Sequence, residues 1–375
     1  MPKRSKKFYV FTGLLGVIAL FVLVVAFKTG PVTGPLQTRG DIELATAAEM
    51  PGASCRDETI PVELTADAWF THDVVGTLCW TGELEDKTLA VMVSGAGYGS
   101  VYWDFPYQPD TYSFVRAALR RGLATFNFDR LGMGRSDRPF GLSLGVDNQA
   151  YVLAQIIETL TADSAFGAVV TLGHSFGSTI SLAHALSYPQ NVDGIVLTGF
   201  VHNSNPGFNL AMRDGVDLAA LKGPFAGAIV DPTYLISKAD SRVDLFYSPG
   251  NVDRTVVEID ELNRQTTSIG EVISMPVYFK EQSKALALPA FTLIGEDDFV
   301  VCGGAVACTD HDAIVAWEAE FFPPAACHEI VVLDDTNHNA NLHLNAPGNF
   351  ELMLDWIDRR VGNAGLPTQP CDAAA

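Results

Sequence analysis

AVVTLGHSFGS, residues 168–178, joins a strand pattern to a helix pattern. Its apolar, partly β-branched beginning is typical of a fully buried strand, and that strand stops at Gly173. Residues 178–187 follow with an apolar spacing that suits a helix. The Gly-x-Ser-x-Gly pattern between them is typical of a sharp turn that lifts a serine hydroxyl clear of a sheet. A β-carbon at Gly173 or Gly177 would crowd the neighbouring strand and helix. Ser175 is therefore the candidate nucleophile.

Strand and helix patterns alternate on both sides of this turn. The predicted strands are 59–64, 74–80, 89–93, 123–128, 168–173, 194–198, 290–295 and 328–333. The predicted helices are 111–121, 145–160, 178–187 and 349–361. The alternation implies right-handed crossovers, so we predict an α/β fold with a mainly parallel sheet that helices cover on both faces. The core is expected to comprise residues 53–200 and 289–361, with the first two strands as a hairpin.

The alternation breaks between residues 201 and 288. This interval carries amphipathic segments but no clear buried strand before Pro289. We expect it to form a mainly helical cap over the carboxyl ends of the strands, where open α/β sheets bind their ligands. Six aromatic residues of the cap are candidates to line a pocket, although most are expected in ordinary core: Phe208, Phe225, Tyr234, Phe246, Tyr247 and Phe279.

The N-terminus carries a targeting pattern. Residues 1–7 are basic, and residues 8–27 are uncharged and almost wholly apolar, a length that can span a bilayer as a helix. Basic residues before such a span favour a cytoplasmic N-terminus with the body outside. We expect residues 1–28 to be a retained membrane anchor, or a signal peptide cleaved near Val24-Val25-Ala26. The catalytic domain would then be secreted or membrane-anchored, outside the cytoplasm.

Six cysteines fit an exported chain, because export exposes thiols to oxidation. Our hypothesis pairs Cys55 with Cys79, Cys302 with Cys308, and Cys327 with Cys371. Six cysteines allow fifteen pairings, and free buried thiols are the alternative. Residues 29–52, rich in Pro, Gly and Thr, predict a linker, and residues 362–375 form a tail that only Cys371 would tether.

The acidity of the chain bears on its partners. Of its 24 basic residues, five lie in the first 28 residues, which contain no acid, so the rest of the chain carries 19 basic against 44 acidic residues. Such a body repels phosphate groups, so we expect no nucleic-acid partner. Solubility is the simpler explanation of the charge.

A glycine-rich turn follows the strand at 89–93. Residues 94–99 read Ser-Gly-Ala-Gly-Tyr-Gly, without the lysine of a P-loop or a full dinucleotide fingerprint. Small residues let the main chain approach a substrate. We therefore assign the N–H of Ala96 as one donor to a developing oxyanion, and the N–H of Phe176 as the second. A purely structural glycine turn is the alternative.

A charged, glycine-containing loop follows the next strand. Residues 129–139 read Asp-Arg-Leu-Gly-Met-Gly-Arg-Ser-Asp-Arg-Pro. Charges and glycines at the carboxyl end of a strand can mark function. We nevertheless interpret this loop as a tight structural turn, whose ion pairs and serine hold it beside the site.

The other catalytic groups should follow the serine in the order acid, then histidine. Asp298 is the candidate acid because it begins the loop after the strand at 290–295, and Asp297 is the second choice. His338 lies on the loop after the last strand and is the candidate general base, with His343 as the fallback. His174 is expected to pack or to form hydrogen bonds within the turn.

No metal is expected at this site. His338 and His343 do not have the helical spacing of a zinc-binding pair. The cysteine spacings do not resemble a zinc site either, and no cysteine lies near Ser175 in the sequence.

Four motifs carry a family resemblance: Gly-His-Ser-Phe-Gly, Asp-Arg-Leu-Gly-Met-Gly-Arg-Ser, Gly-Glu-Asp-Asp and Asn-His-Asn. In this order they make the span from about residue 55 to 361 resemble the α/β-hydrolase superfamily, specifically capped, esterase- or lipase-like members with a serine nucleophile. The resemblance implies an eight-stranded sheet, a Ser175–Asp298–His338 triad and an oxyanion hole at Ala96 and Phe176.

The reaction we expect is cleavage of a carboxylic ester through an acyl-enzyme, without a cofactor. Epoxide hydrolases and haloalkane dehalogenases of this fold use an aspartate nucleophile, so Ser175 speaks against those activities. Acyl transfer and the cleavage of an amide or an activated C–C bond use the same triad and stay open. A non-catalytic surface binding protein on the same fold is the alternative of a different class.

Overall fold

The computed structural model describes residues 42–162, 166–279 and 281–363, together with Gly16, Val32, residues 36–40, residues 368–369 and Cys371. Its strands are β1 (Ala53–Val62), β2 (His72–Thr81), β3 (Thr88–Val93), β4 (Ala124–Asp129), β5 (Ala168–His174), β6 (Gly194–Thr198), β7 (Val216–Leu218), β8 (Tyr234–Ser237), β9 (Thr266–Ser268), β10 (Ala290–Gly295) and β11 (Glu329–Leu333). Its α-helices are α1 (Pro109–Tyr112), α2 (Phe114–Arg121), α3 (Val146–Ala162), α4 (Phe176–Ser187), α5 (Pro206–Gly215), α6 (Arg242–Phe246), α7 (Arg254–Leu262), α8 (Ile269–Ser274), α9 (His311–Ala319) and α10 (Ala346–Arg360).

Eight strands form one sheet in the order β1-β2-β4-β3-β5-β6-β10-β11. β1 pairs antiparallel with β2 and β2 antiparallel with β4, and the remaining neighbours are parallel. The predicted hairpin and the mainly parallel sheet are confirmed. β1 starts at Ala53, six residues before the predicted start. None of its first seven residues is buried, so that part lacks the apolar alternation by which a strand is recognised.

Helices cover both faces of the sheet, as predicted. Side chains alternate between the faces of a strand, and in β3 they separate two parts of the core. Ala90 and Met92 pack in the cluster that contains residues of α2 and α10. Leu89 and Val91 pack in the cluster that contains residues of α3 and α4. The central strands are buried on both sides, which explains their uninterrupted apolar sequences.

The predicted helix at 111–121 is interrupted. It forms two helices, α1 and α2, on either side of Ser113. The Ser113 hydroxyl accepts a hydrogen bond from the N–H of Arg116 at 3.0 Å and so caps α2. The helix ends at Gly122, whose φ of 94° suits glycine.

The insertion between β6 and β10 carries helices α5 to α8, in agreement with a mainly helical cap. It also contains a small antiparallel sheet in the order β7-β8-β9, which the sequence did not indicate. These strands are three or four residues long, too short to display an alternating pattern.

Disulfides join the three predicted cysteine pairs: Cys55–Cys79, Cys302–Cys308 and Cys327–Cys371. The first links directly opposed residues of β1 and β2. The second closes the loop after Asp298, and the third ties the chain near its C-terminus to the segment before β11. The pairing hypothesis is confirmed.

Among the described residues, no helix is long and apolar enough to cross a membrane. The segment predicted as an anchor or signal peptide lies outside the described residues, Gly16 excepted, so that prediction stands as an expectation.

Candidate active site

Ser175 lies at the junction of β5 and α4. Its backbone has φ 54° and ψ −118°, a conformation that costs a non-glycine residue about 1–3 kcal/mol and is characteristic of functional turns. The N–H of Ser175 donates to the carbonyl of Thr198 at the end of β6, at 2.8 Å. This bond ties the strained turn to the neighbouring strand.

The two glycines of the turn are sterically required, as the sequence predicted. A β-carbon at Gly173 would lie 2.4 Å from the backbone N and Cα of Ser178 in α4. At Gly177 it would lie 2.0 Å from the carbonyl oxygen of Val93 in β3. Both contacts are with backbone atoms that cannot move aside without shifting the strand or the helix.

Asp298 and His338 meet at the carboxyl ends of β10 and β11. Nδ1 of His338 lies 2.8 Å from Oδ2 of Asp298, and both side chains are buried. The other carboxylate oxygen accepts hydrogen bonds from the N–H groups of Val300 and Val301, at 2.9 and 3.3 Å. The carboxylate thus makes Nδ1 the donor nitrogen and leaves Nε2 to accept a proton.

The His338 ring lies against the strained turn. Its centroid is 4.9 Å from that of His174, and a β-carbon on Gly199 would be 2.9 Å from its Cε1. Within the part of the chain that the structure describes, the Ser175 hydroxyl forms no hydrogen bond, to His338 or elsewhere. Hydrogen bonds between catalytic groups often tighten only when substrate binds.

Two asparagines brace the loop of His338, a role that sequence reasoning missed. Oδ1 of Asn337 accepts from the N–H of His338 at 2.8 Å and from the N–H of Phe299 at 3.0 Å. It thereby joins the histidine loop to the loop of Asp298. Nδ2 of Asn339 donates to the Tyr98 hydroxyl at 2.8 Å.

The fallback His343 has a structural role. Its Nε2 accepts from the N–H of Ser248 at 3.0 Å, and its Nδ1 lies 2.8 Å from the carbonyl of Asn339. Burial lowers the pKa of His343 to about 4. Its nitrogens are engaged by the protein, so it is not free to act as a base.

His174 also packs within the turn, as expected. Its ring stacks on Tyr102 with centroids 4.1 Å apart, and its Nδ1 lies 3.2 Å from the hydroxyls of Tyr102 and Thr198. Burial, followed by the nearby His338, lowers the pKa of His174 well below its usual value. The ring is therefore neutral near pH 7.

Residues 94–99, here called the oxyanion loop, follow β3 and lie beside Ser175. A β-carbon on Gly95 would be 3.2 Å from the Cβ of Ser175. Within the described chain, the N–H groups of Ala96 and Phe176 donate to no protein acceptor. Both amides are thus available to an oxyanion, as their assignment requires.

Two buried arginines hold the carbonyl groups of the oxyanion loop. Arg130 donates from Nε to Ser94 at 2.8 Å and from Nη2 to Gly95 at 3.1 Å. Arg242, in the cap, donates from Nη2 to Gly97. Their partners are distant in sequence, so no local pattern reveals these contacts.

The turn at 129–139 has the structural role predicted for it. Asp129 accepts from the N–H groups of Arg135 at 2.9 Å and of Ser100 at 2.8 Å. The Ser136 hydroxyl donates to the Asp129 carbonyl at 2.5 Å and accepts from the N–H of Val75 at 2.8 Å. Asp129 and Ser136 thus fasten the loop to β2 and to the end of the oxyanion loop.

Two cap aromatics lie on the side of His338. The Phe246 ring is 5.4 Å from the His338 ring and 6.4 Å from that of Phe208, which is 6.5 Å from Phe299. Phe225, Tyr234 and Tyr247 are buried core residues, and the side chain of Phe279 lies outside the described part. An apolar surface therefore adjoins the candidate base.

A second set of residues has the connectivity of a catalytic triad. His202 lies 2.7 Å from the Ser283 hydroxyl through Nε2, and 2.9 Å from Glu318 Oε2 through Nδ1. Ser283 and Glu318 are fully buried, and His202 is nearly so. No substrate can reach this serine, so we interpret the set as a structural tie between the end of the cap and α9.

Three side chains have the geometry to bind a cation together, namely Glu296, His311 and Asp334. Their candidate ligand atoms lie within 4.8 Å of one another, and two of the residues are exposed. Exposed acidic groups are common without a metal, so the cluster supports no metal assignment.

A cavity of about 690 Å³ is lined by Gly99 at the end of the oxyanion loop and by the residues that follow it. Asp129, Arg135 and Gln265 are among its lining residues, whereas Ser175 and His338 are not. It is therefore not assigned as the substrate pocket.

Comparison with known proteins places the chain in a family. A family model described as the alpha/beta hydrolase family matches residues 90–350. The chain is 32% identical over 127 residues to a 2-hydroxy-6-oxo-2,4-heptadienoate hydrolase of Pseudomonas putida, covering 34% of this chain and 41% of that enzyme. It is 32% identical over 124 residues to a (lyso)-N-acylphosphatidylethanolamine lipase of Bos taurus, covering 33% of each. It is 30% identical over 100 residues to haloalkane dehalogenase 2 of Mycobacterium bovis, covering 27% of this chain and 32% of that enzyme. The matches thus span less than half of each relative.

Solved structures resemble the chain over more of its length. An esterase from Thermogutta terrifontis superposes with a TM-score of 0.52 at 16% identity, over 80% of this chain and 98% of the esterase. A peroxisomal alpha-beta-hydrolase of Saccharomyces cerevisiae superposes with a TM-score of 0.54 at 13% identity, over 87% and 93% of the two chains. At these identities the likeness shows the fold alone, and it confirms the predicted α/β-hydrolase fold.

Proposed function

Because the chain belongs to the alpha/beta hydrolase family, we propose that it is a serine hydrolase that cleaves a carboxylic ester through an acyl-enzyme. One observation carries the proposal. A buried aspartate–histidine pair, 2.8 Å apart, packs with its imidazole 4.9 Å from the ring of His174, the residue before a serine held at φ 54° between strand and helix. Ser, Asp and His also follow the chain order of hydrolases with this turn.

Each group has a defined part in the proposed reaction. Ser175 Oγ attacks the ester carbonyl while His338 Nε2 takes its proton, and Asp298 stabilises the imidazolium. The N–H groups of Ala96 and Phe176 bind the oxyanion. His338 then protonates the leaving alcohol and activates the water that hydrolyses the acyl-enzyme. The aromatic surface at Phe208 and Phe246 favours an ester with an apolar group.

The relatives give specific grounds for a second candidate, hydrolysis of a C–C bond. The Pseudomonas putida relative is named as a 2-hydroxy-6-oxo-2,4-heptadienoate hydrolase, and the proposed triad suits that chemistry too. Acyl transfer and amide cleavage stay open on the same grounds. Dehalogenation is not proposed, although dehalogenases are among the relatives, because the nucleophile position holds serine.

We also propose that the catalytic domain works outside the cytoplasm. The basic and apolar N-terminus supports this location, as do three disulfides, which persist in oxidising compartments. The cell fraction that contains the protein depends on whether the N-terminal segment is cleaved or retained. A cleaved protein is expected in the soluble exported fraction, and a retained one in membranes.

The test uses the full-length chain, exported into an oxidising compartment, beside Ser175→Ala and Ser283→Ala. Each protein is treated with a fluorophosphonate probe and assayed on p-nitrophenyl esters of short and long chain. We expect Ser283→Ala to label and turn over like wild type, and Ser175→Ala to do neither. Fractionation of the same cultures locates the labelled band.

Other outcomes would revise the proposal. A folded wild type that does not label would remove the serine-hydrolase assignment and favour a binding role. Labelling without ester turnover would keep the nucleophile, and 2-hydroxy-6-oxo-2,4-heptadienoate is then the next substrate to assay. Label on Ser283 would overturn its structural interpretation.

A further inference from the structure

The oxyanion loop is held through its carbonyl groups. The carbonyls of Ser94 and Gly95 both accept hydrogen bonds from the Arg130 side chain. That of Gly97 accepts from the Arg242 guanidinium and from the N–H of Gln265, the latter at 2.8 Å. Both arginines are only 1% exposed, so these bonds form away from competing water.

Holding the carbonyl of Gly95 also sets the direction of the Ala96 N–H. The two groups belong to one planar peptide unit and point in opposite directions. The Arg130 guanidinium is a rigid fork that contacts the carbonyl of Ser94 and the carbonyl of Gly95. Because it holds both, it fixes the orientation of the peptide plane between Gly95 and Ala96. The amide assigned to the oxyanion is thereby aimed away from the arginine.

Arg130 also contacts the residue that supplies the second amide. Its guanidinium carbon lies 5.1 Å from the centre of the Phe176 ring, within the range of a cation–π interaction. One side chain therefore touches both halves of the assigned oxyanion hole.

Carboxylates of the cap hold both arginines in place. Arg130 pairs with Glu271 of α8, whose other oxygen accepts from the N–H of Ser268 at 2.7 Å in a capping box. Arg242 pairs with Asp260 of α7 at 2.6 Å. A buried charge that lacks its partner is strongly destabilising, so Arg130, which lies outside the cap, keeps its place only while the cap is seated. Arg242 and Asp260 both lie in the cap, and their pairing holds the guanidinium where it contacts Gly97.

We propose that Arg130 and Arg242 are positioning residues that orient the oxyanion loop. Glu271, which pairs with Arg130, and Arg242, which Asp260 holds within the cap, make this orientation depend on the cap. The inference rests on the proposed function, since it assigns a purpose to the amide of Ala96. It adds that part of the machinery for transition-state stabilisation is anchored in the cap.

The test compares Arg130→Lys with Arg135→Lys. Lysine keeps the charge at position 130, but its single ammonium group lacks the fork that holds two carbonyls and Glu271 together. Arg135 lies in the same loop, and its side chain contacts Thr77, Asp57 and Asp129 but no residue of the oxyanion loop, so it controls for the exchange itself. We expect Arg130→Lys to lower kcat roughly 10- to 100-fold, less than the loss of an oxyanion donor, with little change in KM. Arg135→Lys should match wild type.

A second variant tests the inference if Arg130→Lys does not fold. Glu271→Gln keeps the shape of the side chain and removes its charge, and circular dichroism with thermal melting shows whether each variant is folded. Folded Arg130→Lys or Glu271→Gln with the kcat of Arg135→Lys would overturn the inference. So would a rise in KM at unchanged kcat, because that change reports uniform substrate binding.

Hydrogen–deuterium exchange separates this inference from the proposed function. We expect the amides of residues 94–99 to exchange faster in Arg130→Lys than in Arg135→Lys, whether or not the protein hydrolyses esters. An inactive wild type with this exchange difference would refute the hydrolase and retain the positioning role. An active wild type without the difference would refute the positioning role alone.

Discussion

Two adjacent carboxylates after β10 have different partners. Asp298 is buried and bonded to His338, whereas Asp297 accepts from the Ser248 hydroxyl at 2.9 Å. A carboxylate acts on a catalytic imidazole only if it contacts that imidazole. The geometry therefore supports Asp298 over Asp297 as the acid of the proposed triad.

Asp298→Asn is expected to lower kcat by on the order of 10⁴. The amide oxygen can still accept from the N–H of Val300, but the NH₂ group would then face Nδ1 of His338 and impose the wrong tautomer. Asp297→Asn is the matched control, and its kcat should stay close to wild type. Turnover of p-nitrophenyl esters measures both, and the opposite ranking would move the acid to Asp297.

At the level of single residues, the sequence indicated the groups with a positional signature. Ser175, Asp298 and His338 each follow a strand in the expected order, and the structure brings the last two together. Arg130 gave no such signal, because its partner Glu271 lies 141 positions away. Contacts of that range depend on how the cap folds back, which no local pattern encodes.

The sharp junction of β5 and α4 is a rigid element. Gly177 approaches β3 so closely that its environment leaves no space for a methyl group. Gly348, near the start of α10, is exposed and has nothing within 4 Å of the position of a β-carbon. The same substitution should therefore have opposite effects at these two positions.

We expect Gly177→Ala to lower the free energy of unfolding by about 3 kcal/mol, because the new methyl group meets backbone that cannot yield. Gly348→Ala should raise it by about 0.4–1 kcal/mol, because alanine restricts the unfolded chain. Urea unfolding of both variants beside wild type measures the difference. A Gly177→Ala protein as stable as wild type would show that the turn is not tightly packed.

At the level of elements, burial decided which predictions succeeded. The central strands are buried on both faces, so their apolar sequences located them within a residue or two. The first half of β1 and the strands of the cap lack such a pattern. They are held by pairing with partners, and for β1 by the Cys55–Cys79 disulfide, rather than by their own composition.

Buried histidines couple the stability of the whole molecule to pH. Burial lowers the pKa of His184 and His343 to about 4 and that of His328 to about 3. The unfolded chain takes up protons on these histidines near pH 6.5, whereas the folded chain does not. Each therefore lowers the free energy of unfolding as pH falls below about 6.5, by at most about 1.4 kcal/mol per pH unit.

His184 isolates this effect, because its ring nitrogens have no hydrogen-bond partner within the described chain. His184→Met fills similar space with a flexible apolar side chain and removes the titrating group. On lowering the pH from 7.5 to 5, we expect the free energy of unfolding of wild type to fall by about 2 kcal/mol more than that of the variant. Urea unfolding of both proteins at both pH values measures this. A constant difference between the two proteins would mean that His184 takes up its proton as readily in the folded chain as in the unfolded chain.

The ion pairs of Arg130 and Arg242 bear on attempts to redesign this protein. Because the cap sets the substrate range of capped enzymes, one way to change that range is to replace the whole cap with the cap of a homologue. Here a foreign cap that lacked Glu271, Arg242 and Asp260 would leave Arg130 without its counter-charge and the carbonyl of Gly97 without its guanidinium. A chimera would then lose catalytic rate before its new specificity could be tested. A replacement cap must therefore keep these three side chains, because they form the contacts between the cap and the core.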